Sequence, residues 1–321
     1  MNHNAPLPLA HLTDSRPRVL TLAQLREHGV TASDAADRSW QEILPGVFLL
    51  HPGAATSEER LHAALLYAGR RGGEAMVTGL AALALYRFAS APALLSLPRI
   101  DVLVPHTRRL RSVGTVRIVR THTPPRPAEV TGLPVAPVAR AVADAVAGLS
   151  DAGTVRRLLS EAVRAGHCEP AAVVRELTVA RLLNRPHVVD AVESLLVEGR
   201  AIAEDRLYRL VRGFELPEPV WNVDLRLPGG PYLGGVDAYW PEQAVAVEID
   251  TRVPRQGEGE DEEWSETVRK RDALERLGVT VVHFTPRKLR DWPEQQAAVL
   301  RTALTAAEDR EPAAYLVVLP R

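Results

Sequence analysis

Along residues 245–250, Val-Ala-Val-Glu-Ile-Asp, positions alternate with the period of two that marks a strand. Val245, Val247 and Ile249 fall on one face; Ala246, Glu248 and Asp250 fall on the other. Acids side by side on one face repel, so this pair needs a compensating partner. The upstream stretch GVDAY is joined to this strand by a short turn centred on Pro241-Glu242, which predicts an antiparallel hairpin with Asp237 close to opposite Glu248. In the helix AIAEDRLYRLVRGF, Glu204, Leu207, Tyr208 and Val211 recur at helical spacing, placing one acid on the stripe that faces the sheet. Glu204, Asp237, Glu248 and Asp250 therefore converge near one end of a sheet.

The same periodicities partition the rest of the chain. Thr21-Leu-Ala-Gln24 is a capping box that opens a helix stopped by Gly29; Thr31 and Asp34 open a second, running to about Glu42. ILPGVFLL then reads as a hairpin around Pro45-Gly46. Two helices, a tight turn and a hairpin wing predict a winged helix-turn-helix over residues 14–55. Residues 56–199 read as α+β followed by helices: a helix to about Gly72, a buried helix MVTGLAALALYRF, strands at 100–105 and 113–122, a helix at 137–148, then three helices punctuated by Gly166, Pro170 and Pro186. Residues 200–321 read αβββαβα, an α/β sheet flanked by helices, with an acidic loop (QGEGEDEE, 256–263) before the helix that carries Lys270. The fold class expected is thus α/β multi-domain.

Composition narrows the functions available. A net charge of -1 gives no global field toward nucleic acid or membrane, so any such binding must be local. The single cysteine, Cys168, excludes an internal disulfide and a thiolate metal cluster. No apolar run approaches a membrane span and no leader-like core opens the chain, so no membrane partner and a cytoplasmic location are expected.

Clustered carboxylates cannot all stay ionised without a cation, and a hard divalent ion, Mg²⁺ or Mn²⁺, is the economical solution. Alternatively, Asp237 caps a turn, Glu248 pairs with Arg269 or Arg252, and Glu204 answers a helix dipole. The ordered set of Glu204, Asp237 in GVDAYWPE, Glu248-x-Asp250 and KRDALERLGVTVVHFTPR resembles the very-short-patch-repair-like branch of the PD-(D/E)xK nucleases. The upstream LPGVFLLHPG and GLPVAPVARAVADAVAGL are similar to the N-terminal region of AbiEi-type antitoxins, a class of transcriptional repressors. These resemblances imply Asp237 and Glu248 as metal ligands and Glu204 as an accessory acid. Asp250 stands where that superfamily usually has its lysine. Lys270 is either a migrated replacement or a solvated helix residue among Arg269 and Arg271. His283, on VTVVHF with Val279 and Val281, reads as a core or rim histidine.

Two surfaces are candidates for DNA. On the second N-terminal helix, Ser33, Arg38 and Gln41 are the plausible base readers, in a segment that also carries Asp34, Asp37 and Glu42 and suits a protein contact equally. The segment 106–126 holds Arg108, Arg109, Arg111, Arg117, Arg120 and Arg126 with no acid, a row that suits phosphates or an ordinary solvated strand-loop. Two functions follow. One is a DNA-binding protein with a divalent-metal-dependent endonuclease-like domain, acting in DNA repair or phage defence. The other is a non-catalytic, antitoxin-like regulator that keeps a degenerate nuclease fold as scaffold and takes a toxin or other protein partner.

Overall fold

A computed structural model describes residues 18–30, 40–69, 75–251, 260–308 and 316–321. It is a mixed α/β protein with three sheets and, among the described residues, ten α-helices. The chain divides into two compact units, Met1–Ala162 with Glu176–Val189 and Val163–Arg175 with Asp190–Arg321.

The first unit opens with β1 (Val19–Thr21), α1 (Leu22–Glu27), β2 (Gln41–Leu44) and β3 (Val47–Leu49), whose strands pair antiparallel in the order β1-β3-β2. The capping box is present: the Gln24 amide N–H donates to Thr21 Oγ1 at 3.2 Å and the Thr21 N–H to Gln24 Oε1 at 2.8 Å. Gly46, at φ +74, closes the expected hairpin. The expected second helix is corrected at its end. Its residues 31–39 lie outside the described residues, and Gln41 and Glu42 are strand, because β3 pairs with them across the Pro45-Gly46 turn. Leu20, Leu25, Trp40 and Phe48 form the small core here.

The larger sheet of this unit has the order β6-β5-β4-β8-β7. Its elements are α2 (Ser57–Ala68), β4 (Met76–Thr78), α3 (Gly79–Leu85), β5 (Ile100–Pro105), β6 (Val116–Thr121), β7 (Ala128–Val130), β8 (Leu133–Val135) and α4 (Val138–Val146). The helix expected to begin at Met76 begins only at Gly79. Met76–Thr78 is instead the central strand, buried between β5 and β8. A short apolar run carries no periodicity to separate strand from helix. Gly79 makes the switch at φ +62, where a Cβ would lie 2.7 Å from Asp101 Oδ2. β7 and β8, a short hairpin, were not expected.

Three helices follow, α5 (Ala152–Arg164), α6 (Pro170–Val179) and α7 (Pro186–Gly213). The last is continuous through the domain boundary expected at 199–200. Gly199 does not break it; the Pro170 ring packs where its Cβ would be, 2.3 Å away.

The second unit holds β9 (Val220–Arg226), β10 (Tyr232–Trp240), β11 (Val245–Ile249), α8 (Glu260–Arg276), β12 (Thr280–Phe284), α9 (Pro286–Asp291), α10 (Pro293–Glu308) and β13 (Val317–Pro320). The sheet order is β12-β11-β10-β9-β13: β9, β10 and β11 are antiparallel neighbours, and α8 carries the chain to β12, parallel to β11. The edge strand β13 and the short α9 were not expected. Of the expected acidic loop, 256–259 lie outside the described residues and the remainder is helix, since α8 begins at Glu260.

Two clusters hold this sheet. One joins Trp240, Val245, Val247 and Ile249 to α7 and α10; the other joins Val223, Val236, Tyr239 and Ala246 to Leu274 of α8. The strands change clusters at one level. Trp221 packs with the first cluster and Val223 belongs to the second, although strand alternation would put both on one face. Between them Asn222 sits at φ +49, an uncommon left-handed conformation that rotates the strand. The register of β9 and β10 sets Asn222 across from Asp237.

Candidate active site

The site forms in the second unit where α7, β10, β11 and α8 meet. Ala238 pairs with Val247, so the register carried one step further sets Asp237 opposite Glu248, as the hairpin pattern predicts. Asp237 is only 6% exposed. Its Oδ2 accepts the Ile249 amide N–H at 2.7 Å, and its Oδ1 accepts Arg200 Nη2 at 2.7 Å. Arg200 lies one helical turn before Glu204 and also donates Nε to Glu204 Oε1 at 2.8 Å. Burial pushes the Asp237 carboxyl above its ordinary range. The Ile249 amide and Arg200 pull it down, while Glu204 and Glu248 push it up.

Lys270 projects from α8 across β10. Its Nζ is 2.5 Å from Glu248 Oε1 and donates to the Gly235 carbonyl at 2.5 Å. Gly234 lies directly under this crossing: a Cβ there would sit 2.4 Å from Lys270 Cε, and the backbone is at φ +143, which L side chains rarely adopt. On the other side of Glu248, the parallel register pairs it with His283, whose Nδ1 is 3.7 Å from Glu248 Oε2. Asp250 donates its amide to the Phe284 carbonyl at 2.8 Å. A cavity of about 560 Å³ opens over these groups, lined by Asp237, Glu248 and Asp250 and by the cations Arg200, Arg269, Lys270 and Arg321.

The helix stripe is corrected in one place. Leu207 and Val211 are buried with Ala203 and Leu210, but Tyr208 stands 38% exposed at the margin, so Glu204 also lies at the edge of the packed face. Among the described residues no three or more His, Cys, Asp or Glu side chains are grouped to hold a metal. The chain meets part of the acids' demand for positive charge itself, through Arg200 and Lys270. A hard metal is compatible with what remains. Mg²⁺ is commonly held by one or two carboxylates and completed by waters and substrate phosphates, and the all-oxygen pair Asp237 and Glu248 matches that mode.

The candidate DNA-reading residues are distributed differently. Ser33 and Arg38 lie outside the described residues. Gln41, expected on a helix, is on β2, where its Nε2 donates to the carbonyls of His51 and Gly53 at 3.2 and 3.1 Å. Within the arginine row, Arg117 forms a two-point ion pair with buried Asp101, with Nε 2.6 Å from Oδ1. Arg108 donates to the Ala68 carbonyl at 2.8 Å, and Arg120 bonds the carbonyls of Arg108 and Leu110. Arg109, Arg111 and Arg126 are exposed.

Sequence reasoning passed over Arg200, Gly234, Arg321 and the role of His283 beside Glu248. Arg200 was legible as the cation four residues before Glu204 on the same helix. Gly234 was legible as a glycine inside a strand pattern, a sign of close approach.

Compared with protein-family models, curated proteins and solved structures, the chain matches none.

Proposed function

We propose that this chain is a DNA-binding protein whose C-terminal unit hydrolyses phosphodiester bonds with Mg²⁺ or Mn²⁺. The observation that carries this reading is Lys270 Nζ at 2.5 Å from Glu248, beside Asp237, in a cavity rimmed by Arg269 and Arg321. Two acids and a lysine at one sheet end are what the resemblance to the PD-(D/E)xK nucleases implies, with the lysine carried from the strand position of Asp250 to helix α8. Asp237 and Glu248 would hold the metal, which supplies charge neutralisation and an activated water. Arg269 and Arg321 would orient the phosphate. Lys270 would stabilise negative charge as water attacks phosphorus and the bond to the leaving sugar oxygen breaks. Glu204 and Asp250 would support the two ligands. Arg109 and Arg111 are the best placed of the N-terminal candidates for phosphate contact, being exposed.

Calorimetric titration of Mn²⁺ into the full chain tests this reading, beside the Asp237→Ala/Glu248→Ala double variant. Binding in the wild type and none in the variant is expected, with Mg²⁺-dependent cleavage of DNA that Lys270→Ala lowers about 10²-fold. An absence of metal binding to the wild type sinks it.

A second reading has its own observation: Arg200 and Lys270 already pair the acids without any ion. This favours a regulator, antitoxin-like in its front region, that keeps the C-terminal unit as scaffold. It predicts no Mn²⁺ binding and intact partner or operator binding.

A further inference from the structure

Asp237 also lines a second cavity, of about 400 Å³, and its chemistry is unlike that of the first. One wall is apolar: Leu207, Tyr208 and Trp221. The Tyr208 and Trp221 rings lie 5.5 Å apart between centroids, tilted by 52°, and the Arg212 guanidinium sits 5.3 Å from the Tyr208 centroid. Trp221 is fixed by its Nε1–H, donated to Glu218 Oε1 at 3.0 Å. The polar wall is Glu204, Asp205, Asn222 and Asp237, and among the described residues no cation lines this cavity.

The two cavities differ in the cations that line them. The first cavity offers Arg200, Arg269, Lys270 and Arg321. In the second, Glu204 and Asp237 are both paired with Arg200 and Asp205 is paired with Arg209, so its carboxylates are largely neutralised and it offers a phosphate no free cation among its lining residues. Carboxylate lone pairs not used in these pairs accept hydrogen bonds from amines, and the Asn222 amide offers both a donor and an acceptor. An aromatic wall with such an edge is the recognition chemistry of a nucleobase. Asn222 lines the second cavity across from Asp237, the residue that lines both.

We propose that the second cavity receives an unstacked nucleobase from the nucleotide whose phosphate enters the first, with Tyr208 and Trp221 as its stacking residues. The inference rests on the phosphodiesterase reading and narrows its substrate to a strand that is single at that nucleotide. A base inside a duplex reaches such a pocket only by leaving the stack.

The test is fluorescence anisotropy with the full chain, without divalent metal so that nothing is cut. The probes are a labelled single-stranded oligodeoxynucleotide, its duplex, and an abasic oligomer of equal length. The wild type should bind the single strand more tightly than either other probe. Tyr208→Ala, at an exposed position where folding is secure, should weaken the single strand about tenfold and leave the abasic oligomer unchanged. Arg269→Ala should weaken both. Equal affinity of the wild type for natural and abasic strands overturns the proposal, as does Tyr208→Ala behaving like the wild type. If that variant also still cuts DNA, only the base pocket falls. If the wild type binds no probe at all, the phosphodiesterase reading falls and the pocket with it.

Discussion

Lys270 crosses directly over Gly234 to reach Glu248: the lysine's Cε and Cδ pass 2.4 and 2.6 Å from where a Cβ at that position would be. The glycine on β10 and the lysine on α8 form one device, though 36 residues separate them in the chain. Gly234→Ala should displace the ammonium and strain a backbone at φ +143, costing about 1–2 kcal/mol. The check is a double-mutant cycle in urea. In a Lys270→Ala background the steric part of the cost should vanish, leaving a coupling of about 1 kcal/mol. Additive costs would show that the two residues are independent.

Burial raises Asp237 above its ordinary value of 3.8, and this has a definite sign in a stability profile. In the interval between the unfolded and folded values, the native state binds more protons than the unfolded chain. Stability is then greatest below the unfolded value and falls as pH rises through the folded value. The Asp237→Asn variant should lose that falling segment, read from urea midpoints across acid pH. A profile identical to the wild type would show that Asp237 does not titrate with a raised value.

Arg200 is paired with Asp237 Oδ1 at 2.7 Å, so it competes with any cation for that carboxylate. Arg200→Ala should therefore tighten Mn²⁺ binding while lowering the stability of the metal-free protein. The stability loss should be about 1 kcal/mol, because the arginine is 41% exposed and its pair is partly screened. Calorimetry and chemical unfolding on the same preparation separate the two effects. A weakened metal affinity would show that Arg200 supports the ligands rather than competing with the ion.

What the sequence disclosed follows from which signals are local. The hairpin of β10 and β11 was legible because alternation and turn length together fix a register, and that register sets Asp237 opposite Glu248. The stripe of α7 was legible in Leu207 and Val211 because helical phase is local as well. Lys270 was not resolvable as site or surface, since nothing in its own helix records the glycine that admits it. Met76–Thr78 was misread as helix because three buried residues carry no period. The edge strand β13 was missed because its pairing with β9 is a long-range contact with no local mark. The arginine row suits phosphates or a solvated strand-loop equally in the sequence, because sign and alternation do not record partners on other strands; Arg117 is tied to buried Asp101 on the neighbouring strand.

In the first unit, buried Asp144 gathers three donors: Thr78 Oγ1 at 2.6 Å, Arg140 Nε at 3.0 Å and Arg140 Nη2 at 2.8 Å. Thr78 ends the central strand β4 and Asp144 sits on α4, so this network joins the sheet to the helix covering it. Asp144→Ala would leave the Arg140 guanidinium, whose side chain is 12% exposed, short of its main counter-charge. Only the longer pair with Glu176 Oε2, at 3.9 Å, would remain; a largely buried charge that loses its main partner is costly, and a loss of about 3 kcal/mol is expected. Adding Arg140→Ala should recover part of it, since the stranded charge is removed. Urea unfolding of both single variants and the double decides the matter. If the double variant is no more stable than Asp144→Ala, the cost lies in the Thr78 bond and in packing rather than in the charge left behind.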